Sequence, residues 1–245
     1  MKKIYLFANW KMYLDYKESQ KLAMDLSKKI ETLPKNIEMV VFPSGLSIDK
    51  VKNTLPKVGA QNVYWVDKGG YTGEISAKMY KDMGAKYALV GHSERRHQFN
   101  ESNEDVNKKM EAVLSVNMTP VLCVGETAVE RKKGLTDNVV GLQIKKAYEN
   151  ISWNGKKMII AYEPVWAIGS GHACSAVEAE KEHMKIRELV NKLFKIDPVI
   201  LYGGSVRPEN AHEYLSSHQI DGVLVGGAST ILKSWVGIIN IAKSI

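Results

Sequence analysis

The chain has 245 residues, 44% of them hydrophobic and 25% charged, and a formal net charge of +7. No segment approaches the roughly 18 consecutive apolar residues of a membrane helix, and the apolar run at residues 4–8 is too short for the core of a signal peptide. The lysines stand in short scattered groups without interleaved aromatic residues, which is typical of helix exteriors. We therefore expect neither a membrane nor a nucleic-acid partner, and the charge serves at most to attract a small anionic substrate.

The sequence contains no recognisable motif for a metal or a nucleotide cofactor. Its two cysteines, Cys123 and Cys174, are far apart and form no CxxC pair, so they predict neither a disulfide framework nor a cysteine metal site. The six histidines include no HExxH motif, and the glycines include no GxGxxG turn. We expect a cytoplasmic protein that needs no metal and no cofactor.

Short apolar runs recur along the chain, and each is followed by an amphipathic, charge-bearing stretch. The runs are almost continuously apolar, which is typical of parallel strands that are covered on both faces. The predicted strands are 4–8, 39–42, 58–63, 87–90, 121–124, 158–161, 199–202 and 223–225. This alternation predicts the α/β class, and we expect a single-domain (β/α)₈ barrel over residues 1–245. The pattern alone also allows an open, doubly wound sheet.

Local signals predict where several helices begin or end. Ser175 and Glu178 form a capping-box pattern that opens a long helix from residue 176 to about 194. Pro208 suits the first position of a helix, and Gly84 suits a helix end.

Polar and titratable side chains follow the apolar runs at the predicted carboxyl ends of the strands, where barrel enzymes build their active sites. Asn9 and Lys11 follow the first run, His92 and Glu94 the fourth, and Glu163 the sixth. Taken singly, each could be a surface or structural residue. Together they supply a base, a hydrogen-bond donor and a cation, the groups needed to remove a proton next to a carbonyl.

Glycine-rich turns follow the seventh and eighth runs. Residues 203–205 read Gly-Gly-Ser, residues 226–227 are both glycine, and Gly169 and Gly171 stand on a third loop. Backbone N–H groups at such turns can bind an anion because no side chain blocks its approach. The turns predict a phosphate site in the usual barrel position, after strands seven and eight.

Several segments resemble the triosephosphate isomerase family in order and spacing, from about residue 4 to residue 240. They are Asn9-x-Lys11, Gly59-Ala-Gln-Asn62 through Thr72-Gly-Glu-Ile-Ser76, Gly91-His-Ser-Glu-Arg-Arg96, Ala161-Tyr-Glu-Pro-Val-Trp-Ala-Ile-Gly169, Tyr202-Gly-Gly-Ser205 and Leu224-Val-Gly-Gly-Ala-Ser229. The resemblance implies a TIM-barrel isomerase without a cofactor. Its expected reaction is the interconversion of dihydroxyacetone phosphate and D-glyceraldehyde 3-phosphate in glycolysis and gluconeogenesis.

The resemblance also implies a role for each site residue. Glu163 would carry the proton between C1 and C2, and His92 would polarise the carbonyl as a neutral imidazole. Lys11 would supply positive charge with Asn9 beside it, and Glu94 would orient Lys11. The residues that would bind the phosphate through their amides are Gly169, Ser205, Gly226 and Gly227.

The segment from residue 61 to residue 79 predicts a homodimer. A loop of this length without evident structure of its own usually has a function, and its Val63, Tyr64, Trp65 and Tyr71 are too apolar for a free tip. The resemblance implies that this loop, around Thr72, inserts into a neighbouring subunit near the catalytic lysine.

The far end of the expected lid, residues 172–174, departs from the family pattern and includes Cys174. Two interpretations of this cysteine remain open. It is either a small buried residue that packs the hinge, or a thiol that is partly accessible when the lid is open and whose pKa is lowered by the start of the following helix.

Other classes of protein fit the residues less well. A Schiff-base aldolase would require a lysine on a strand, deep in the rim, where the sixth strand carries Glu163. An indole-forming lyase would be another phosphate-binding barrel. A barrel retained as a binding scaffold would be expected to lose Lys11, His92 or Glu163, and all three are present.

Overall fold

A computed structural model describes residues 2–30, 32–153, 155–168 and 174–245. Its strands are β1 (Ile4–Asn9), β2 (Ile37–Phe42), β3 (Gly59–Ala60), β4 (Tyr87–Val90), β5 (Thr119–Val124), β6 (Ile159–Tyr162), β7 (Val199–Tyr202) and β8 (Gly222–Val225). The helices are α1 (Tyr16–Ile30), α2 (Ile48–Lys52), α3 (Ala77–Asp82), α4 (Ser93–Gln98), α5 (Asn103–Ser115), α6 (Ala128–Lys132), α7 (Thr136–Ala147), α8 (Ala176–Phe194), α9 (Pro208–Ser216) and α10 (Leu232–Lys243). None of the helices in this part of the chain combines the length and apolarity required to cross a lipid bilayer.

The strands form one parallel sheet that closes on itself. Their order is β2-β1-β8-β7-β6-β5-β4-β3, so β2 and β3 stand at the two ends of the series. A parallel bridge between Val41 and Val58 joins these ends, and the Val41 N–H donates to the carbonyl of Lys57 at 3.2 Å. The (β/α)₈ barrel is confirmed, and the open-sheet alternative is wrong.

Strand β3 is shorter than the predicted 58–63, and its neighbours explain why. A Cβ on Gly59 would lie 2.3 Å from Cε1 of Phe42, so only glycine allows this approach to β2. Beyond Ala60, the side chain of Gln61 replaces the backbone pairing, since its Nε2 donates to the carbonyls of Lys11 at 2.8 Å and Phe42 at 2.9 Å. The chain therefore leaves the barrel wall two residues after it enters.

The apolar strand residues bury two surfaces. Alternate residues such as Phe7 and Phe42 fill the inside of the barrel, and the residues between them pack outward against the helices. Burying one large apolar side chain contributes about 1.5–3 kcal/mol. Because both faces are covered, the strands carry no polar alternation, as the sequence predicted.

The predicted helix boundaries are confirmed where local signals set them. Ser175 Oγ accepts from the N–H of Glu178 at 3.2 Å, and the Glu178 carboxylate accepts from the N–H of Ser175 at 3.3 Å. Helix α8 runs over Ala176–Phe194 as expected, and Pro208 is the first residue of α9. Gly84 follows α3 with φ of +99°, a conformation that favours glycine.

His183 of α8 is fully buried against the barrel wall. Its ring meets the ring of Tyr162 edge to face, with 6.0 Å between centroids. Desolvation lowers the pKa of His183 from 6.5 to about 3, because a charged imidazole has no compensating water here. The folded protein therefore holds this side chain neutral at pH values where the unfolded chain takes up a proton.

We expect His183 to make folding sensitive to mild acid. The unfolded chain binds a proton below about pH 6.5 that the folded chain does not bind until pH nears 3, so stability falls as the pH drops between these values. Between pH 7 and pH 5 the free energy of unfolding falls by about 2 kcal/mol from this group. Urea denaturation at several pH values measures it. His183→Gln removes this contribution to the pH dependence of the unfolding free energy. The variant His218→Gln, at an exposed histidine, serves as the matched control. If His183→Gln leaves the pH dependence of the unfolding free energy unchanged, the prediction is wrong.

Candidate active site

The carboxyl ends of the strands surround a cleft of about 230 Å³. Its lining includes residues at or after the carboxyl ends of β1, β4, β6, β7 and β8. The first and last of them, Asn9 and Ala228, are 219 positions apart in the sequence. The predicted site residues among them are Asn9, Lys11, His92, Glu163, Ser205, Gly226 and Gly227. Glu94 contacts the cleft through Lys11. Gly169 lies outside the described residues.

Lys11 is held in place from several sides. Its N–H donates to Asn9 Oδ1 at 3.0 Å, its carbonyl accepts from Gln61, and its Nζ donates to Glu94 Oε1 at 2.6 Å. The backbone has φ of +49°, a left-handed conformation that costs a residue with a Cβ about 1–2 kcal/mol. Such strain persists only where neighbouring contacts fix the conformation. Asn9 and Glu94 thus lie where they can position the Lys11 ammonium group.

His92 caps the beginning of α4. Its Nδ1 accepts a hydrogen bond from the N–H of Glu94 at 3.2 Å, so this nitrogen carries a lone pair. In the neutral ring the proton then lies on Nε2, as assigned from the hydrogen bonding. The Nε2 atom is 3.2 Å from Oε1 of Glu163. This geometry leaves the Nε2–H of His92 as a hydrogen-bond donor on the side of the ring that faces Glu163.

Glu163 follows β6 directly, and only 2% of the residue is exposed. Its Oε2 accepts from the N–H of Ser93 at 2.8 Å, while Oε1 contacts His92. Its own N–H donates to the carbonyl of Val124 at 2.7 Å, which fixes the backbone at the end of the strand. Pro164 follows in an extended conformation. The result is a desolvated carboxylate held by hydrogen-bond donors, a suitable form for a general base.

Glycines make room for Glu163. A Cβ on Gly125 would lie 1.7 Å from the carbonyl oxygen of Glu163, and a Cβ on Gly203 would lie 2.8 Å from its Cγ. Gln143 of α7 holds Gly125 in place, since it accepts from the Gly125 N–H at 2.9 Å and donates to its carbonyl at 3.1 Å. The sequence predicted an anion-binding turn at Gly203 and did not identify Gly125 or Gln143. Gly203 is also required by the close approach of Glu163.

The predicted phosphate corner lies beside Lys11. A Cβ on Gly226 would lie 3.2 Å from Cε of Lys11, so the glycine lets the lysine side chain pass close to the backbone. Gly227 begins a 3₁₀ turn. Ser205 Oγ donates to the carbonyl of Ala167 at 2.8 Å and so joins the loop after β7 to the loop after β6. These turns present backbone, without intervening side chains, to the same cleft.

Glu126 supports the site from outside the cleft lining, and sequence analysis did not identify it. It is fully buried and accepts hydrogen bonds from the Tyr162 hydroxyl at 3.1 Å, Trp166 Nε1 at 2.9 Å and Arg131 at 3.3 Å. The Arg131 guanidinium also lies 4.4 Å from the centroid of the Trp166 ring. This network holds the start of the loop that leaves β6. A signal was present, because Gly125 and Glu126 follow the fifth apolar run as the other site residues follow theirs.

Cys174 lies at the start of α8, after the lid tip at 169–173, which falls outside the described residues. Cys174 is fully buried, and its carbonyl accepts from the Tyr214 hydroxyl at 2.6 Å. Burial raises the pKa of its thiol to about 12, with Glu178 contributing in the same direction. Desolvation therefore outweighs the helix start, and the expectation of a lowered thiol pKa is wrong. The interpretation as a small buried residue agrees with this structure, and accessibility of the thiol when the lid is open stays a prediction.

Comparison with known proteins agrees with this arrangement. The family model of triosephosphate isomerase matches residues 4–242. The triosephosphate isomerase of Natranaerobius thermophilus is 39% identical over 250 residues, which cover 99% of this chain and 97% of the relative. That of Dictyoglomus thermophilum is 40% identical, with 98% and 100% covered, and that of Fusobacterium nucleatum is 42% identical, with 98% and 99% covered. With its closed barrel and the residues gathered at its rim, the chain belongs to the triosephosphate isomerase family.

Proposed function

We propose that the cleft catalyses the reversible interconversion of dihydroxyacetone phosphate and D-glyceraldehyde 3-phosphate through an enediolate. The observation that carries this proposal is the buried Glu163 carboxylate, 3.2 Å from Nε2 of His92, in a cleft that Lys11 also lines. The family match supports the triose phosphate substrate. These three side chains supply the base, the donor and the cation that the reaction requires.

Glu163 acts as the base in this mechanism. Its carboxylate takes a proton from C1 of dihydroxyacetone phosphate and returns it to C2. Because the carboxylate is removed from water, its reaction requires little reorganisation of solvent. The Ser93 N–H bond at 2.8 Å holds it at the edge of the cleft.

His92 and Lys11 stabilise the negative charge that develops on oxygen. The Nε2–H of His92 donates to the carbonyl oxygen, and the neutral ring then moves a proton between O1 and O2. The Lys11 ammonium adds a positive charge close to the enediolate, and Glu94 keeps it oriented through the 2.6 Å ion pair. Donors that are already in position before charge develops are the most effective electrostatic catalysts.

The phosphate binds at the opposite side of the cleft. Ser205, Gly226 and Gly227 line that side, and backbone at glycine turns suits an anion that must approach closely. Gly169 is proposed as a further phosphate ligand from the family resemblance. The phosphate contacts fix the substrate so that C1 and C2 meet the acid–base groups.

We expect Glu163→Gln to lower kcat by at least about a hundredfold, because the amide keeps the shape and can still accept from Ser93 but is not a base. A coupled assay with D-glyceraldehyde 3-phosphate, without added metal or nucleotide, measures kcat and KM. The control Glu188→Gln removes an exposed carboxylate of α8 and leaves kcat unchanged. If Glu163→Gln retains more than a tenth of the activity, the assignment of Glu163 as the base is wrong.

We further infer that the protein is a homodimer joined through the loop around Thr72. This loop is more ordered than the sequence indicated. The Tyr64 N–H donates to the carbonyl of Ile75 at 2.9 Å, and the Tyr64 ring stacks on Trp65 with 4.2 Å between centroids and lies 4.7 Å from Tyr71. Residues 67–74 are exposed beyond this base, so the loop can act as a rigid projection.

A complementary surface lies beside Lys11. A cavity of about 330 Å³ adjoins it, and two large apolar side chains of its lining stand exposed, Met12 at 96% and Phe99 at 62%. Clustered apolar exposure of this kind marks a protein interaction surface. A second copy of the chain supplies a loop of matching apolar character. Insertion of that loop would remove water from the side of the cleft where Lys11 and Glu94 lie.

We expect replacement of residues 67–74 by a short Gly-Ser linker to give a monomer with reduced activity, because it removes the projecting part of the loop. The base of the loop at Tyr64 and Ser76 is kept. Sedimentation velocity at micromolar concentration measures the assembly. A Gly-Ser replacement of the exposed turn at residues 133–134 is the control and stays dimeric. If the intact protein itself sediments as a monomer, the dimer proposal fails.

We also infer that residues 1–245 form one domain and that the protein works in the cytoplasm. One closed barrel accounts for the strands from Ile4 to Val225. Both cysteines are free and buried, as suits a reducing compartment.

A further inference from the structure

Strand β5 stands between the two acid–base residues of the cleft without contributing to the cleft itself. It lies between β4 and β6 in the sheet, and His92 and Glu163 stand just beyond the ends of those two neighbours. None of the described residues that line the cleft belongs to β5. The backbones that carry His92 and Glu163 are therefore connected to each other through the carboxyl end of β5.

The end of β5 is joined directly to the backbone of Glu163. The Val124 carbonyl accepts from the Glu163 N–H at 2.7 Å. One residue further, Gly125 packs so closely that a Cβ there would lie 1.7 Å from the Glu163 carbonyl oxygen. Beyond it, the Glu126 carbonyl accepts from the N–H of Val165 at 3.1 Å. A shift of this segment would therefore move the backbone of the proposed base.

Gln143 of α7 fixes this segment from outside the barrel wall. Its side-chain oxygen accepts from the Gly125 N–H at 2.9 Å and its Nε2 donates to the Gly125 carbonyl at 3.1 Å, so both backbone groups of one residue are bound. Gln143 is itself buried, and it is not among the described residues that line the cleft. Any influence of its amide group on the cleft therefore passes through Gly125.

Arg96 of α4 connects the same strand with the turn that carries His92. Its Nε donates at 2.8 Å to the carbonyl of Gly91, the residue before His92, and its Nη2 donates to the Cys123 carbonyl of β5 at 3.3 Å. A Cβ on Gly91 would lie 2.6 Å from Nη2, so glycine is needed for the guanidinium to come this close to the backbone. Nη1 donates to Asn103 Oδ1 at 2.8 Å, which anchors the guanidinium to α5. Arg96 thus joins the ends of β4 and β5.

We propose that Gln143 and Arg96 are positioning residues that set the separation of His92 and Glu163 by holding the end of β5 between them. This inference rests on the proposed function, in which those two side chains act on one substrate. Nε2 of His92 and Oε1 of Glu163 are 3.2 Å apart, and proton transfer requires such groups within hydrogen-bond reach of the reacting atoms. A displacement of about 1 Å can cost about a hundredfold in rate.

The variant Gln143→Met tests this inference, because methionine keeps the length of the side chain but cannot hold the Gly125 backbone from both sides. We expect kcat in the coupled assay to fall at least about tenfold. The Kd for glycerol 3-phosphate, measured by calorimetric titration, is expected to stay within about twofold, since this ligand has the phosphate of the substrate without its carbonyl. An unchanged kcat, or an equal loss of kcat and of affinity for glycerol 3-phosphate, overturns the inference.

Asn107→Leu is the matched control. The Asn107 amide of α5 also makes two hydrogen bonds to backbone, donating to the carbonyls of Ala147 at 3.2 Å and Glu149 at 3.0 Å. Asn107 is not among the described residues of the cleft lining, so its replacement leaves kcat unchanged. Thermal melting checks that both variants are folded. A loss of stability without a loss of kcat in Gln143→Met would make Gln143 a purely structural residue.

A double variant separates an effect through the base from a general loosening of the site. If Gln143 acts through Glu163, its effect disappears once the base is absent. We therefore expect Glu163→Gln/Gln143→Met to keep the residual kcat of Glu163→Gln within about twofold. A further drop of about tenfold in the double variant contradicts the inference. High activity in Glu163→Gln alone would contradict the proposed function instead, so the two failures are distinct.

Arg96→Lys tests the contact on the other side of β5. Lysine keeps the charge but lacks the planar fork that binds Gly91, Cys123 and Asn103 together. We expect kcat to fall at least about tenfold, with the Kd for glycerol 3-phosphate within about twofold. The control is Arg187→Lys, since Arg187 also binds several acceptors at once but does so at the amino ends of β7 and β8, and it keeps kcat. Full kcat in Arg96→Lys overturns the role of Arg96, and if this variant does not fold, Gln143→Met and its double variant decide the inference.

Discussion

Closure of the sheet between β2 and β3 is the constraint on which the rest of the molecule depends. The Val41–Val58 bridge completes a ring in which every strand runs in the same direction. All carboxyl ends therefore meet at one rim, and residues as distant as Lys11 and Gly227 share a cleft. The same closure brings all amino ends together on the other side. Two separate chemical environments follow from this single topological fact.

The two ends of the barrel handle charge differently. At the rim, the carboxylates of Glu163 and Glu126 are buried, and each has specific donors: Ser93 and His92 for Glu163, and a tyrosine, a tryptophan and Arg131 for Glu126. A buried charge is tolerated only with such partners, which hold these two carboxylates in place. At the amino ends, the carboxylates of Glu38, Asp197 and Asp221 form ion pairs with lysines and an arginine. The arrangement at the rim suits chemistry on a bound substrate.

Steric freedom at glycine is as important for the site as charge. Gly125 and Gly203 lie so close to Glu163 that a Cβ on either would collide with it. Gln143, which reaches in from α7, keeps Gly125 in this position through two hydrogen bonds. The proposed base, Glu163, is thus positioned by backbone packing and by a helix outside the barrel wall as well as by its hydrogen-bond partners.

Much of this protein could be predicted from its sequence, because the signals concerned are local. Buried parallel strands are continuously apolar, and a capping box is formed within four residues, so the strands and the bounds of α8 follow from short segments. The site residues Lys11, His92 and Glu163 follow from their places after apolar runs and from the family resemblance. The tertiary structure decided the rest. The short β3 depends on Phe42 and Gln61, the burial of Cys174 depends on packing that outweighs its helix start, and the roles of Gly125 and Glu126 depend on neighbours from other strands. Lys3, Lys57 and Lys86, which stand just before β1, β3 and β4, are far apart in the sequence. Only the closed parallel ring brings the strand starts together in space.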